Sequence, residues 1–419
     1  MSTIAPPRTA RVNLRTPDVM AAVQAQVEKH YRSEIVDRLR ASGGTLTVGD
    51  TTVLLAKQFG FCYGVERAID LAYAARKVFA DRDLFILGEI IHNPEVNEQI
   101  RSFGIKNLIG KNREAEIDLL KPEDVVIVPA FGAEVATVEK IKARGCQIVD
   151  TTCGDVMSVW KRVRQNANDS VTSIIHGKAQ HEETLATSSH AMGKGNGQYL
   201  VVLTLEETEY VCEYIRHGGD RAAFLEKFKG AHSPGFDPDL HLQSVGVANQ
   251  TTMLRGETEE VQRRVRKAIA DRDGLTAPAP NFRFFDTICG ATQERQDALN
   301  QLLTVPLDLL LVIGGYNSSN TSHLAEMGQE KLPTFFIRNS TRMKSSEEIV
   351  HFDLHRKEEV TSSAWLPTGP LRVGITAGAS CPNNLIEEAI LRLYELRGVD
   401  RDELLPAGNA AHAGTLSHR

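Results

Sequence analysis

The chain has 419 residues, 42% hydrophobic and 24% charged, with a formal net charge of −6. It can bury a large core and is long enough for two or three domains. Lysine and arginine are spread along it, which leaves no electrostatic footprint for nucleic acid or an anionic membrane surface, so an anionic ligand has to be met by local groups.

Apolar runs such as Pro306 to Ile313 are short and interrupted by Asp308, so none reads as a membrane span. Six cysteines over this length do not resemble a disulfide framework, and the first residues lack the apolar stretch of a secretory signal, which points to a reducing, cytoplasmic setting. Arg8, Arg11 and Arg15 precede the first acidic residue, Asp18, in a faint transit-peptide pattern that would move the chain to a plastid stroma; a disordered terminus is the plainer expectation.

Thr16 and Pro17 read as an N-cap and first helical residue, and Val19, Val23, Val27, Tyr31, Ile35 and Leu39 follow at helical spacing, which predicts a helical extension over residues 1–50. After Gly43 and Gly44 short β-rich runs alternate with amphipathic helices. The pattern predicts an α/β protein of three pseudo-threefold-related modules with small parallel sheets around a central site: residues 51–152, 153–285 and 286–399. The second module carries a surface insertion near 217–243, rich in Pro, Gly, Asp and His, and 400–419 reads as a disordered tail.

Each module announces itself by a strand, a cysteine and a helix: Phe59-Gly-Phe-Cys62, Asp150-Thr-Thr-Cys153 and Asp286-Thr-Ile-Cys289. The last two share D-T-x-C-G, an internal repeat. Alone, any of these thiols reads as a buried core residue; the repeat argues instead for three equivalent positions. A thiol at a strand's carboxyl end and a helix's amino end sits where open sheets bind ligands, and the helix dipole favours its thiolate. Three thiolates meeting at one centre suit zinc, copper(I) or an iron-sulfur cluster, and a missing fourth ligand leaves a position open. Cys146, Cys212 and Cys381 lack this context and read as structural.

No P-loop or dinucleotide fingerprint is present. Val312-Ile-Gly-Gly-Tyr-Asn-Ser-Ser-Asn320 and Val373-Gly-Ile-Thr-Ala-Gly-Ala-Ser380 each run from strand through glycine turn to hydroxyl or amide residues. Such junctions hold anions or merely cap a helix, and two in one module tilt towards phosphate. His92 and His181 follow apolar runs and are candidates for the same pocket. His181 with Glu183 offers a proton donor, with Glu182 the competing carboxyl, and Gln250, Thr251 and Thr252 either bind a substrate hydroxyl or end a strand.

With these motifs the chain resembles the hydroxymethylbutenyl diphosphate reductases, the LytB/IspH family, over roughly residues 50 to 398. The likeness rests on Gly60-Phe-Cys-Tyr-Gly-Val65, His92-Asn93, Asp150-Thr-Thr-Cys153, His181-x-Glu183, Gln250-Thr-Thr252, Cys289-x-Ala-Thr292, Asn317-Ser-Ser-Asn320 and Thr376-Ala-Gly-Ala-Ser380. The resemblance implies a 4Fe-4S cluster on Cys62, Cys153 and Cys289, and reductive removal of the hydroxyl from a small allylic diphosphate to give isopentenyl and dimethylallyl diphosphates. It assigns the diphosphate to His92, His181, Ser318, Asn320 and Ser380, with Ser319, Asn317 and Gln250 alongside, and leaving-group orientation and protonation to Thr251 and Glu183. It also implies an electron donor of ferredoxin or flavodoxin type.

The chain departs from many bacterial members at Ala130-Phe131-Gly132, where they carry A-H-G, and at Gly154, where proline is usual; the former is similar to the plant and cyanobacterial branch. Two other classes fit the cysteines: an iron-sulfur hydro-lyase without net reduction, and a non-enzymatic metal or redox sensor.

Overall fold

The computed structural model describes residues 12–110, 112–274, 281–285 and 287–404. Its first element is a pair of helices rather than one. Pro17–Tyr31 stops where Arg32 and Ser33 turn extended, and Ser33 caps the next helix, Glu34–Ala41, by accepting from the Val36 amide at 3.0 Å. That cap interrupts the spacing read through Val19 to Leu39. It also divides the extension's apolar residues, since Val23 and Tyr31 join one core while Ile35, Val36 and Leu39 join another.

Strands β1 (Thr45–Val48) and β2 (Thr51–Leu55) form an antiparallel hairpin. Strands β3 (Leu84–Leu87), β4 (Ile105–Leu108), β5 (Val125–Val128) and β6 (Gln147–Asp150) build a parallel sheet in the order β4-β3-β5-β6. A second parallel sheet, β8-β7-β9-β10, comprises β7 (Thr172–His176), β8 (Tyr199–Val202), β9 (Val245–Asn249) and β10 (Phe282–Phe284). The third takes β11 (Leu309–Ile313) and β12 (Thr334–Ile337). After the antiparallel hairpin of β13 (Glu348–Asp353) and β14 (Glu358–Ser363), it adds β15 (Leu371–Ala377). Its order is β12-β11-β15-β2-β1.

Counted within each sheet, the parallel strands repeat one order, second-first-third-fourth, three times. In the third sheet the fourth strand is β2, paired with β15 from Thr51↔Leu371 to Leu55↔Ile375. Central strands such as Leu309–Ile313 and Val125–Val128 are buried throughout, as continuous apolar runs in doubly covered parallel sheets should be.

This pairing changes the meaning of the strand-cysteine-helix motif. The sequence suggests that each strand opens its own module, but hydrogen bonding makes it the fourth parallel strand of a sheet: β6 on β5, β10 on β9, β2 on β15. The helix after each cysteine packs elsewhere. Tyr63–Val78 buries Val65, Ala68, Ile69 and Ala72 against the first sheet, Gly154–Asn168 buries Val159 and Val163 beside Ala248 of the second, and Gly290–Leu302 buries Ala298 and Leu299 against Leu310 and Val312 of the third. Each cysteine is thus the junction between two modules.

Two further expectations are corrected. The stretch near 217–243 is not a mere surface insertion: Phe224, Phe228, Phe236 and Leu242 pack into the second core, and Leu200 of β8 bridges His232, which covers that sheet's edge. Aromatic residues set among turn formers put a core face on a segment whose average composition is polar. In the tail, Arg401–Leu404 is a short helix with Leu404 on the third core, and 405–419, like Arg8, Arg11 and Asp286, lie outside the described residues.

Candidate active site

Parallel sheets collect functional groups beyond the carboxyl ends of their strands, and here equivalent strands supply equivalent positions. The fourth strands β6, β10 and β2 lead to Cys153, Cys289 and Cys62. Beyond the third strands β5, β9 and β15 come Phe131, Thr251 and Ser380, and beyond the first strands β3, β7 and β11 come His92, His181 and Ser318. All nine line one cavity of about 600 Å³.

Each of the three cysteines is a helix N-cap, half-buried, with a free thiol. A Cβ added at Gly64 would stand 2.7 Å from the Cys153 sulfur and 3.9 Å from that of Cys62, so a residue without a side chain makes room for both. Cys289 accepts from the Thr292 amide at 3.3 Å and lies 2.9 Å from its hydroxyl. Burial nonetheless raises the Cys153 thiol and pushes Cys289 up to about 12. At these two cysteines loss of solvation outweighs the helix dipole and the amide hydrogen bonds, so a cation is needed to favour the thiolate. Cys146, Cys212 and Cys381 are buried away from this cavity.

Among the described residues, the one set of three His, Cys, Asp or Glu ligand atoms within 4.8 Å of one another is His92, His181 and Glu182. The three sulfurs stand wider. A single tetrahedral ion with bonds of about 2.3 Å would need them drawn in to about 3.8 Å.

Glu183 lies on the first turn of the helix Glu182–Ala191 and is only 3% exposed. Its carboxylate accepts from the Thr251 amide at 2.6 Å and the Thr251 hydroxyl at 3.0 Å. Burial prevails over these bonds and lifts the carboxyl to about 7. Its neighbour Glu182 is half-exposed, 3.8 Å from His92 Nε2, which separates the two candidates that the sequence leaves level.

His181 caps the same helix by accepting from the Glu183 amide at Nδ1, 3.2 Å away. Burial, then the neighbouring His92 and Lys178, keep it well below the usual histidine range, so the neutral ring carries its proton on Nε2. Among the described residues that atom has no hydrogen-bond partner, and neither do Nε2 of His92 and Nδ2 of Asn320. Orphaned polar atoms of this kind call for a ligand. His92 is stacked on Phe131 with ring centroids 4.4 Å apart and planes 9° apart, and meets His181 edge-on at 4.9 Å. The phenyl ring that stands where many bacterial members carry the histidine of A-H-G thus packs flat on a second imidazole, that of His92.

Ser318, Ser319 and Asn320 begin the helix Ser319–Gln329 and line the cavity with Ser380. Asn320 accepts from the Ala379 amide at 2.9 Å, and Ser380 donates to the His92 carbonyl at 3.0 Å. Two predicted residues lie outside the lining. Gln250 is buried behind it, accepting from the Lys178 amide and the Thr184 hydroxyl and donating to the hydroxyls of Thr252 and Ser319. Asn317 is exposed and donates to Glu89 at 2.8 Å. Sequence reasoning missed Arg295, buried in the wall between Cys62 and Cys289, whose only signal was a charge inside the apolar stripe of a helix.

The sequence model of the LytB protein matches residues 53–394. The chain belongs to the LytB family. It is 49% identical to a 4-hydroxy-3-methylbut-2-enyl diphosphate reductase of Gloeobacter violaceus, over 90% of this chain and 91% of the relative. A protein of the same name from Thermosynechococcus vestitus is 48% identical over 90% of this chain and 92% of its own length. Both are cyanobacterial, as the Phe131 motif suggested. A solved structure of (E)-4-hydroxy-3-methyl-but-2-enyl diphosphate reductase superposes with a TM-score of 0.51 at 26% identity, covering 82% of this chain and 99% of that one. The fold also recurs in the corresponding reductase of Plasmodium falciparum, with a TM-score of 0.59 over 81% and 86% of the chains at 19% identity. Among the described residues no helix is long and apolar enough to cross a membrane.

Proposed function

We propose that the cavity binds 4-hydroxy-3-methylbut-2-enyl diphosphate and reductively removes its hydroxyl as water, consuming two electrons and two protons and releasing isopentenyl and dimethylallyl diphosphates. The observation that carries this reading is that three cysteines and a buried, protonatable Glu183 line one cavity. A 4Fe-4S cluster held by Cys62, Cys153 and Cys289 would supply electrons and Lewis acidity for breaking the C–O bond. The donor chemistry fits: three soft ligands line one cavity, with no fourth cysteine in the lining.

Hydroxide is a poor leaving group, so a proton must arrive as the bond breaks. Glu183 is suited to deliver it, because burial keeps its carboxyl protonated up to about neutral pH while Thr251 fixes its orientation through two hydrogen bonds. The diphosphate is met by donors rather than by a cationic clamp. Neutral His181 offers Nε2–H, Asn320 offers Nδ2–H, and the serine hydroxyls sit where a helix N-terminus favours negative charge. Gln250 acts at one remove by holding Ser319, and Phe131 by holding His92. A ferredoxin- or flavodoxin-type donor and a cytoplasmic location complete the proposal.

The test is anaerobic purification followed by iron and sulfide analysis and turnover with an external reductant. A brown protein that oxidises about two equivalents of one-electron reductant per product supports a reductase, as the two-electron balance requires. Turnover without reductant would make it a hydro-lyase, and a colourless, zinc-loaded, inactive protein a sensor.

A further inference from the structure

Arg295 is 3% exposed, yet among the described residues no carboxylate oxygen lies within 4.0 Å of its guanidinium. Its Nη1 donates to the Ala291 carbonyl at 2.8 Å, in the first turn of the helix that Cys289 caps. Its Nη2 donates to the carbonyls of Gly60 at 2.5 Å and Phe61 at 3.2 Å, the two residues that lead into Cys62. One planar fork therefore ties together two cysteine-bearing segments from distant parts of the chain. A buried guanidinium without an ion partner is costly and calls for a compensating charge. Burial works against this charge, and Cys62 and Cys289 stand foremost among the groups that work for it, so the compensation it calls for is negative charge gathered at the two cysteines it braces.

We infer that Arg295 is a positioning residue for the metal centre: it fixes the spacing between Cys62 and Cys289 and balances the negative charge that gathers there when an electron is added. The inference rests on the cluster reading above. A fixed positive charge in a water-poor wall stabilises the more negative redox state, so it raises the midpoint potential, while the carbonyl fork slows release of the metal. Lysine would keep the charge but not the fork.

The experiment uses full-length wild type, R295Q and R295K, each reconstituted anaerobically and read by iron and sulfide content, redox titration followed by electron paramagnetic resonance, and the rate of iron loss to a chelator. Expected for R295Q is a midpoint shifted to more negative potential and several-fold faster iron loss. R295K should hold the wild-type midpoint but lose iron faster than wild type. A loaded R295Q with the wild-type midpoint and loss rate overturns the inference. Should R295Q fail to fold, R295K decides: an unshifted midpoint with faster iron loss supports it, and a negative shift or a wild-type loss rate overturns it. Wild type without iron and sulfide would bring down the cluster reading and this inference with it, whereas a loaded wild type beside an unaltered R295Q brings down this inference alone.

Discussion

Replacing Glu183 by glutamine takes away a proton and little else. The amide oxygen can keep the Thr251 amide bond and the amide nitrogen can donate to the Thr251 hydroxyl once that group turns, so neither of the two bonds need be lost. In the wild type the carboxyl is lifted from 4.5 to about 7 by burial, which amounts to roughly 3 kcal/mol between its two protonation states. Between those two values the folded protein holds a proton that the unfolded chain has released. Stability therefore falls as pH rises across that window, and above it the ionised, buried carboxylate costs the fold up to about 3 kcal/mol.

E183Q should show no such slope, and should melt higher than wild type at pH about 8 once other ionisations are matched. Its turnover should drop by about 10²- to 10⁴-fold, the usual worth of a positioned general acid. Wild-type kcat/KM should decline through one ionisation near neutrality that E183Q lacks. The measurements are anaerobic pH–rate profiles with reductant in excess and melting curves over the same range. A flat wild-type profile, or an E183Q variant within about tenfold of wild type, would refute the assignment of the proton to this carboxyl.

Cys289→Ser should lose iron and activity together, whereas Cys146→Ser should keep both, because Cys146 only donates to the Lys121 carbonyl away from the cavity; iron analysis of the two variants decides. Gly64→Ala should cut iron content several-fold while leaving the melting curve of the metal-free protein within about 1 kcal/mol of wild type, since the new methyl would meet the Cys153 sulfur at 2.7 Å. Phe131→Leu removes the ring stacked on His92 and should raise KM for the diphosphate several-fold with a smaller change in kcat, as expected when an aromatic contact worth about 0.5–1.5 kcal/mol orients a binding group. Equal losses in both parameters would argue against that role.

The cysteines were legible because the repeated D-T-x-C-G sets two thiols in one local context and Cys62 follows the same order of strand, cysteine and helix, and local context is what a sequence displays. Ser318, Asn320, Ser380 and Thr251 were legible as hydroxyl and amide groups after apolar strands. Pairing between distant strands was not: nothing in Thr51–Leu55 says that its neighbour is Leu371–Ile375. At Cys153 and Cys289 the thiol is raised rather than lowered for a related reason, since a helix dipole can be read from spacing while desolvation depends on what the rest of the chain stacks around the sulfur. Arg295 stayed hidden because one charge in an apolar helical stripe resembles any solvated flank until its carbonyl partners are known. Gln250 and Asn317 show the converse, residues inside the right motifs whose side chains are already engaged elsewhere.

The borrowed strand also sets a timetable for the newborn protein. Val125 finds Gln147, and Val245 finds Phe282, a few tens of residues further along the chain, but Thr51 has no partner strand until Leu371 has been made. The earliest of the three thiols to be made is accordingly the last to be anchored. Any centre that needs all three is completed only once Leu371 to Ile375 has been made, and a truncated product that stops short of that strand cannot hold it.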